Sequence, residues 1–246
     1  MIICFFSFDN LQLFSTAIMF NKRTMLIIAL GLIALLSSCI GDDIIPDEVE
    51  PVVRILNPVD SIALGSSYTY EASYFNNIGF EETNATIVWE SSNPTIIEVD
   101  QSGIAQALAM GEVAITASVT KGNETIQATN NVAVGGSTVN NNEQSGSIRT
   151  TSSYVLSGDF VIRDNGNGGI TISFVDDYEA STALPGLYVY LTNNPNTTAG
   201  AKEVGKVRVF NGAHEYTVDD ASLFTYSHLL YYCKPFNVKV GDGAIN

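Results

Sequence analysis

Residues 85–119 read ATIVWESSNPTIIEVDQSGIAQALAMGEVAITASV, and their alternation decides the fold. Successive side chains of a strand point to opposite faces, so Ile87 and Trp89 share one face while Glu90 takes the other. Asn93-Pro94 breaks that strand, because proline restricts the residue before it and lacks an N–H. Ile97 and Val99 share a face of the next strand. Asp100-Gln101-Ser102-Gly103 is a turn, with Gly103 available for a positive φ. Residues 104–108 return and Met110-Gly111-Glu112 turns again. Val113, Ile115, Ala117 and Val119 then alternate with Ala114, Thr116 and Ser118, placing small residues where two sheets meet. The pattern is strand, turn, strand, turn, strand.

The rest of the chain follows the same grammar. No long stretch downstream of Cys39 keeps a 3.6-residue apolar period. Short β-branched runs at 169–174, 187–191 and 207–210 are separated by Gly, Asn, Asp and Pro, so the chain reads as all-β. In the second half, 163–169 (RDNGNGG) is a loose hairpin turn, and Val204-Gly205-Lys206-Val207 with Phe210-Asn211-Gly212 marks another hairpin. Residues 231–238 close the fold. Residues 135–147 (GGSTVNNNEQSGS) are polar and Asn-rich, bury little, and read as a linker. The expected division is a leader over 1–38, an acidic tether over 39–51, a first domain over 52–135, a linker over 136–146 and a second domain over 147–246.

The amino terminus carries an export pattern. Lys22 and Arg23 precede an apolar run over 25–36, followed by Ser37-Ser38-Cys39. About twelve helical residues reach only about 18 Å, short of a roughly 30 Å hydrocarbon core, so a cleaved signal fits better than a membrane span. Residues 1–18 sit ahead of the positive region, which makes Met19 the candidate start. Residues 19–39 resemble the lipobox of bacterial lipoprotein precursors. That resemblance implies that Cys39 becomes the acylated first residue and that acyl chains hold the protein at the outer membrane. Asp42, Asp43, Asp47, Glu48 and Glu50 are similar to the acidic export signal of Bacteroidetes surface lipoproteins, which implies exposure at the cell surface.

Charge and cysteines narrow the partners. The chain carries 26 acidic against 11 basic residues, a formal charge of −15, and near −16 once the leader is removed. Such a surface repels nucleic acid and anionic membranes, so no nucleic-acid partner is expected and the membrane affinity must come from the anchor. Of Cys4, Cys39 and Cys233, only Cys233 remains free once the leader is cut and Cys39 is acylated, so no intrachain disulfide forms.

Two family resemblances follow from the motifs. Val88 to Pro94, Ile97-Glu98-Val99-Asp100, Ser102-Gly103-Ile104 and Gly111 to Ala117 resemble the bacterial immunoglobulin-like group 2 domain. That implies a small β-sandwich used as a spacer or adhesive module, with Trp89 in its core and no catalytic residue. Ser157 to Ile162, 187–191, Gly205-Lys206-Val207 and Tyr232-Cys233-Lys234-Pro235-Phe236 resemble the DM13 domain. That family is all-β, occurs beside haem-binding and oxidoreductase modules, and has been proposed to transfer electrons through the cysteine matching Cys233. The acidic stretch 176–184 departs from the family, whose members are shorter and glycine-rich there. The expected fold is therefore an Ig-like β-sandwich followed by a second β-sandwich domain.

The chemistry stays open at Cys233. A reactive thiol needs a lowered pKa and exposure. Lys234 points to the opposite strand face, and Cys233 shares its side with Leu229, Tyr231 and the more distant Lys239. Cys233 is thus either a buried structural cysteine or a redox residue working with a second molecule. His214 and His228 are the only histidines. His214-Glu215 opens like a zinc-protease motif, but Val218 stands where the second histidine belongs. A metal site of His214, His228 and Cys233 competes with two ordinary strand histidines. Asp164 to Gly169 lacks the calcium-loop pattern at Gly166 and fits a hairpin turn. Tyr226, Tyr231, Tyr232 and Phe236 read as core. No metal or cofactor is expected. The sequence supports a non-catalytic module for a protein or glycan, with an electron-transfer component using Cys233 and a redox partner as the alternative.

Overall fold

The computed structural model describes residues 47–246, which fall in one compact unit. The expectations for the leader, Cys39 and the first part of the tether lie outside the described residues. Among the described residues no helix is long and apolar enough to cross a membrane.

The first half contains β1 (Val52–Ile55), β2 (Val59–Ala63), β3 (Ser67–Thr69), β4 (Ala72–Phe75), β5 (Val88–Ser91), β6 (Ile97–Val99), β7 (Ile104–Ala107), β8 (Gly111–Lys121), β9 (Glu124–Gly135) and β10 (Val139–Asn140). A five-stranded sheet, ordered β10-β2-β9-β8-β5, shares one core with a three-stranded sheet, β3-β7-β6, and the pair β1-β4. Alternation does the sorting. Along β8, Val113, Ile115, Ala117 and Val119 are buried and their neighbours are not. Trp89 is buried against Tyr70, ring centroids 5.6 Å apart. Gly103 turns the chain at φ 82°, and the Asp100 carboxylate caps that turn by accepting from the Ser102 N–H and hydroxyl and the Ile104 N–H.

The stretch expected as a free linker is ordered. β10 pairs antiparallel with β2, the Ser61 hydroxyl donates to the Ser137 carbonyl at 2.8 Å, and the Thr138 hydroxyl accepts from the Ala63 N–H at 3.1 Å. Composition misled because polar side chains still leave backbone groups that the edge of a sheet satisfies. The next strand begins at Glu143, ahead of the boundary expected at 147.

The second half contains β11 (Glu143–Thr150), β12 (Leu156–Asp164), β13 (Gly169–Phe174), β14 (Glu179–Ala180), β15 (Leu187–Thr192), β16 (Lys202–Lys206), β17 (His214–Asp219), β18 (His228–Cys233) and β19 (Val238–Ala244). They form one nine-stranded sheet, ordered β16-β15-β18-β19-β11-β12-β13-β17, with β14 on β12. That sheet wraps a core of Phe160, Ile162, Ile170, Tyr178, Leu187 and Tyr231, so both walls of this half come from one continuous sheet. Its end strands β16 and β17 line a common recess. The hairpin expected across 204–212 does not form, because β16 pairs with β15 and β17 with β13. Residues 207–210 are a connection rather than a strand. By contrast 163–169 does form a hairpin turn, in which the Asp164 carboxylate accepts from the Gly166 N–H at 2.6 Å.

Candidate functional site

The described end of the acidic tether lies against the body. The Val49 N–H donates to the Asn77 carbonyl at 2.8 Å, and the Asn194 side-chain amide donates to the Asp47 carbonyl. Asn194 is itself buried, and its amide also reaches the Ile78 carbonyl at 3.3 Å. The two halves therefore meet along a joint that includes the tether.

Arg54 on β1 centres that joint. Its Nη1 donates to Asn193 Oδ1 at 2.8 Å and to the Thr225 carbonyl at 2.7 Å, and its guanidinium lies 4.7 Å from the Phe75 ring centroid. Burial pushes the group down to about 10, still far above neutral pH, so the charge persists. Gly79 permits the close approach. A Cβ there would sit 2.9 Å from the Asn193 carbonyl carbon and from the Asn194 Cβ, at a φ of +81°. One guanidinium nitrogen donating to both an amide oxygen and a main-chain carbonyl fixes orientation more tightly than apolar contact alone.

Cys233 ends β18 with its thiol inside the second core, 1% exposed, beside Leu229 and Tyr231 of the same strand face. Lys239 does not share that face. The chain turns through a 3-10 segment, Lys234–Phe236, with Asn237 in the left-handed region, and β19 then pairs Lys239 with Tyr232. The Lys239 ammonium is engaged with Asp242 at 2.5 Å. Phe236, expected in the core, stands on this turn at 65% exposure. The single stretch read from sequence hides a reversal, and the reversal sends Phe236 outward.

The histidines are apart from the thiol chemistry. His228 Nδ1 pairs with the Ser227 hydroxyl at 2.8 Å, and burial holds this imidazole below its ordinary range against the opposing pull of Asp242. His214 Nδ1 meets the Gly212 carbonyl at 3.0 Å, and the ring stacks on Phe174 at 4.6 Å. Among the described residues no three His, Cys, Asp or Glu side chains converge as metal ligands.

Sequence reasoning missed a buried polar cluster around His214. Tyr178 packs edge-on against its ring with centroids 4.5 Å apart, and Tyr216 lies 5.5 Å away. Tyr231 is 6.4 Å beyond Tyr178. The Tyr178, Tyr216 and Tyr231 hydroxyls and His214 Nε2 are all buried without a hydrogen-bond partner in the protein. Burial raises all three phenols, so all stay protonated. Native interiors rarely leave such groups unpaired. Tyr216 of β17 and Tyr231 of β18 were visible in sequence; their convergence with Tyr178 and His214 was not.

Residues 77–136 match the bacterial Ig-like domain (group 2). The sandwich core extends upstream of the match through Val53, Ile55, Val59, Ile62, Tyr70 and Tyr74. A solved structure of Sidekick-1 immunoglobulin domains 1–5 aligns at 12% identity and a TM-score of 0.23, covering 79% of this chain and 38% of that one. The chain thus spans less than two fifths of that structure's length. No curated protein matches the sequence.

Proposed function

We propose that this is a lipid-anchored cell-surface protein that acts as a non-catalytic binding or adhesion module. Acyl chains on Cys39 hold it at the outer membrane, the Ig-like sandwich is the spacer, and the second half, with its DM13-like terminal motif, is the head that meets a protein or glycan. The observation that carries the reading is the Ig-like match over 77–136, joined through Arg54 to a second β unit. A spacer transmits position only when its joint is stiff, and the Arg54 fork supports that role. Burial of Cys233 favours binding over electron transfer, since a working thiol needs access.

The test is cellular. Bacteria producing the chain are fed an alkynyl fatty acid and then shaved with protease. The wild type is expected to carry the label and to be cut on intact cells. Cys39→Ala is expected to lose the label and the membrane fraction. Label persisting in Cys39→Ala, or complete protection of the wild type, contradicts the reading.

A further inference from the structure

Asparagine is followed by glycine three times in this chain, at Asn165-Gly166, Asn167-Gly168 and Asn211-Gly212. Such a pair carries its own reaction. The glycine main-chain nitrogen attacks the asparagine side-chain carbonyl carbon, and glycine has no Cβ to crowd the approach. Attack requires that nitrogen to lose its proton and to turn towards the side chain. A nitrogen already donating a hydrogen bond is held back on both counts.

Two of the three pairs are locked. The Gly166 N–H donates to the Asp164 carboxylate at 2.6 Å, and the adjacent anion opposes loss of its proton. The Asn165 side-chain oxygen accepts from the Asn167 N–H at 2.8 Å and from the Gly169 N–H at 3.1 Å, which fixes that amide across the turn. The Gly212 N–H donates to the Tyr178 carbonyl at 2.9 Å. Asn211 is exposed, so its protection comes from that bond and from its bridge to Glu179.

Asn167-Gly168 has no such lock. Both residues are exposed, in the turn between β12 and β13. Among the described residues nothing accepts from the Gly168 N–H, and the Asn167 side-chain amide holds no hydrogen bond. A Cβ on Gly168 would meet nothing within 4 Å, so the space around this residue is open.

We propose that Asn167 is a self-modifying site that converts to aspartate and isoaspartate, with water as its only co-reactant. First the Gly168 nitrogen bonds to Asn167 Cγ, its proton leaves with the side-chain nitrogen as ammonia, and a cyclic imide forms. Water then adds to either imide carbonyl and breaks that carbon's bond to the nitrogen. Breaking the bond at Cγ leaves aspartate. Breaking the bond at the main-chain carbonyl leaves isoaspartate, with the chain rerouted through the side chain. Either product adds one negative charge beside Asp164, on the half assigned above as the head. The reaction is independent of what that half binds and of the anchor at Cys39.

The test holds the purified protein in mildly alkaline buffer, folded and in urea, and follows the three asparagines by mass spectrometry with fragmentation that places each change. In the folded protein Asn167 is expected to convert about tenfold faster than Asn165 and Asn211, or more, because each of those pairs must first give up a hydrogen bond. In urea the three rates are expected to converge. In water enriched in heavy oxygen, each product is expected to carry one labelled oxygen, and isoaspartate is expected beside aspartate. Asn167→Gln alters an exposed side chain without a partner, and is expected to remove the fast conversion and leave the urea midpoint unchanged. An unconverted Asn167 in folded protein whose urea sample converts, equal rates at the three positions in the folded state, absence of isoaspartate, or fast conversion persisting in Asn167→Gln would each overturn the proposal.

Discussion

Arg54 and Asn193 lie 139 residues apart in the chain and are joined by a hydrogen bond of 2.8 Å. The same guanidinium reaches the Thr225 carbonyl, so one side chain spans two segments of the second half. The halves of this protein are therefore coupled by a polar fork rather than strung on a flexible linker.

Removing the fork should uncouple them. Arg54→Ala leaves the Asn193 and Thr225 oxygens without their donor and is expected to cost about 2–3 kcal/mol. Arg54→Lys should recover part of the loss, because both bonds come from the single nitrogen Nη1 while the planar contact with the Phe75 ring is lost. Calorimetry is expected to show one transition in the wild type and two in Arg54→Ala. A single, unshifted transition in Arg54→Ala would show that other contacts hold the joint.

The turn at Gly103 offers a test of the first sandwich. A Cβ there would lie 2.6 Å from the Tyr70 carbonyl oxygen, at a φ of +82°. Gly103→Ala is therefore expected to lose more than about 1 kcal/mol in urea unfolding, through strain and a displaced Tyr70 backbone. An unchanged midpoint would mean that the turn relaxes freely.

His228 sets a pH dependence. Burial holds its imidazole below the ordinary value of 6.5; Lys239, Arg54 and Arg149 add to that lowering, and Asp242 opposes it. The folded protein resists a proton that the unfolded chain accepts, so stability is full above the ordinary imidazole range and falls as the pH drops through it. Urea midpoints measured between about pH 8 and pH 5 are expected to decline in the wild type and to decline less in His228→Gln. Parallel curves would assign the slope to other groups.

Cys233 should behave as a core residue. Native protein is expected to resist a thiol reagent at neutral pH and to react once unfolded. Cys233→Ser is expected to cost about 1–3 kcal/mol, because it buries a hydroxyl in an apolar site. Rapid labelling of the folded protein would instead support electron transfer.

The regular elements were legible in the sequence because period-two alternation is local. Residues 169–174 coincide with β13, 187–191 fill most of β15, and Trp89 lies in the core that its strand face implies. What stayed hidden depends on partners distant in the chain. Residues 135–147 look unstructured until β2 supplies an edge for Val139 and Asn140. Residues 204–212 look like a hairpin until β15 and β13 claim the two strands. The Arg54 joint and the cluster of Tyr178, His214, Tyr216 and Tyr231 arise from the same long-range pairing, which no local spacing encodes.

The most direct measurement of the central claim is the mass of the amino-terminal peptide from protein extracted out of bacterial outer membranes. The peptide is expected to start at Cys39 and to carry acyl chains on that residue. A peptide that starts upstream, with an unmodified Cys39, would contradict it.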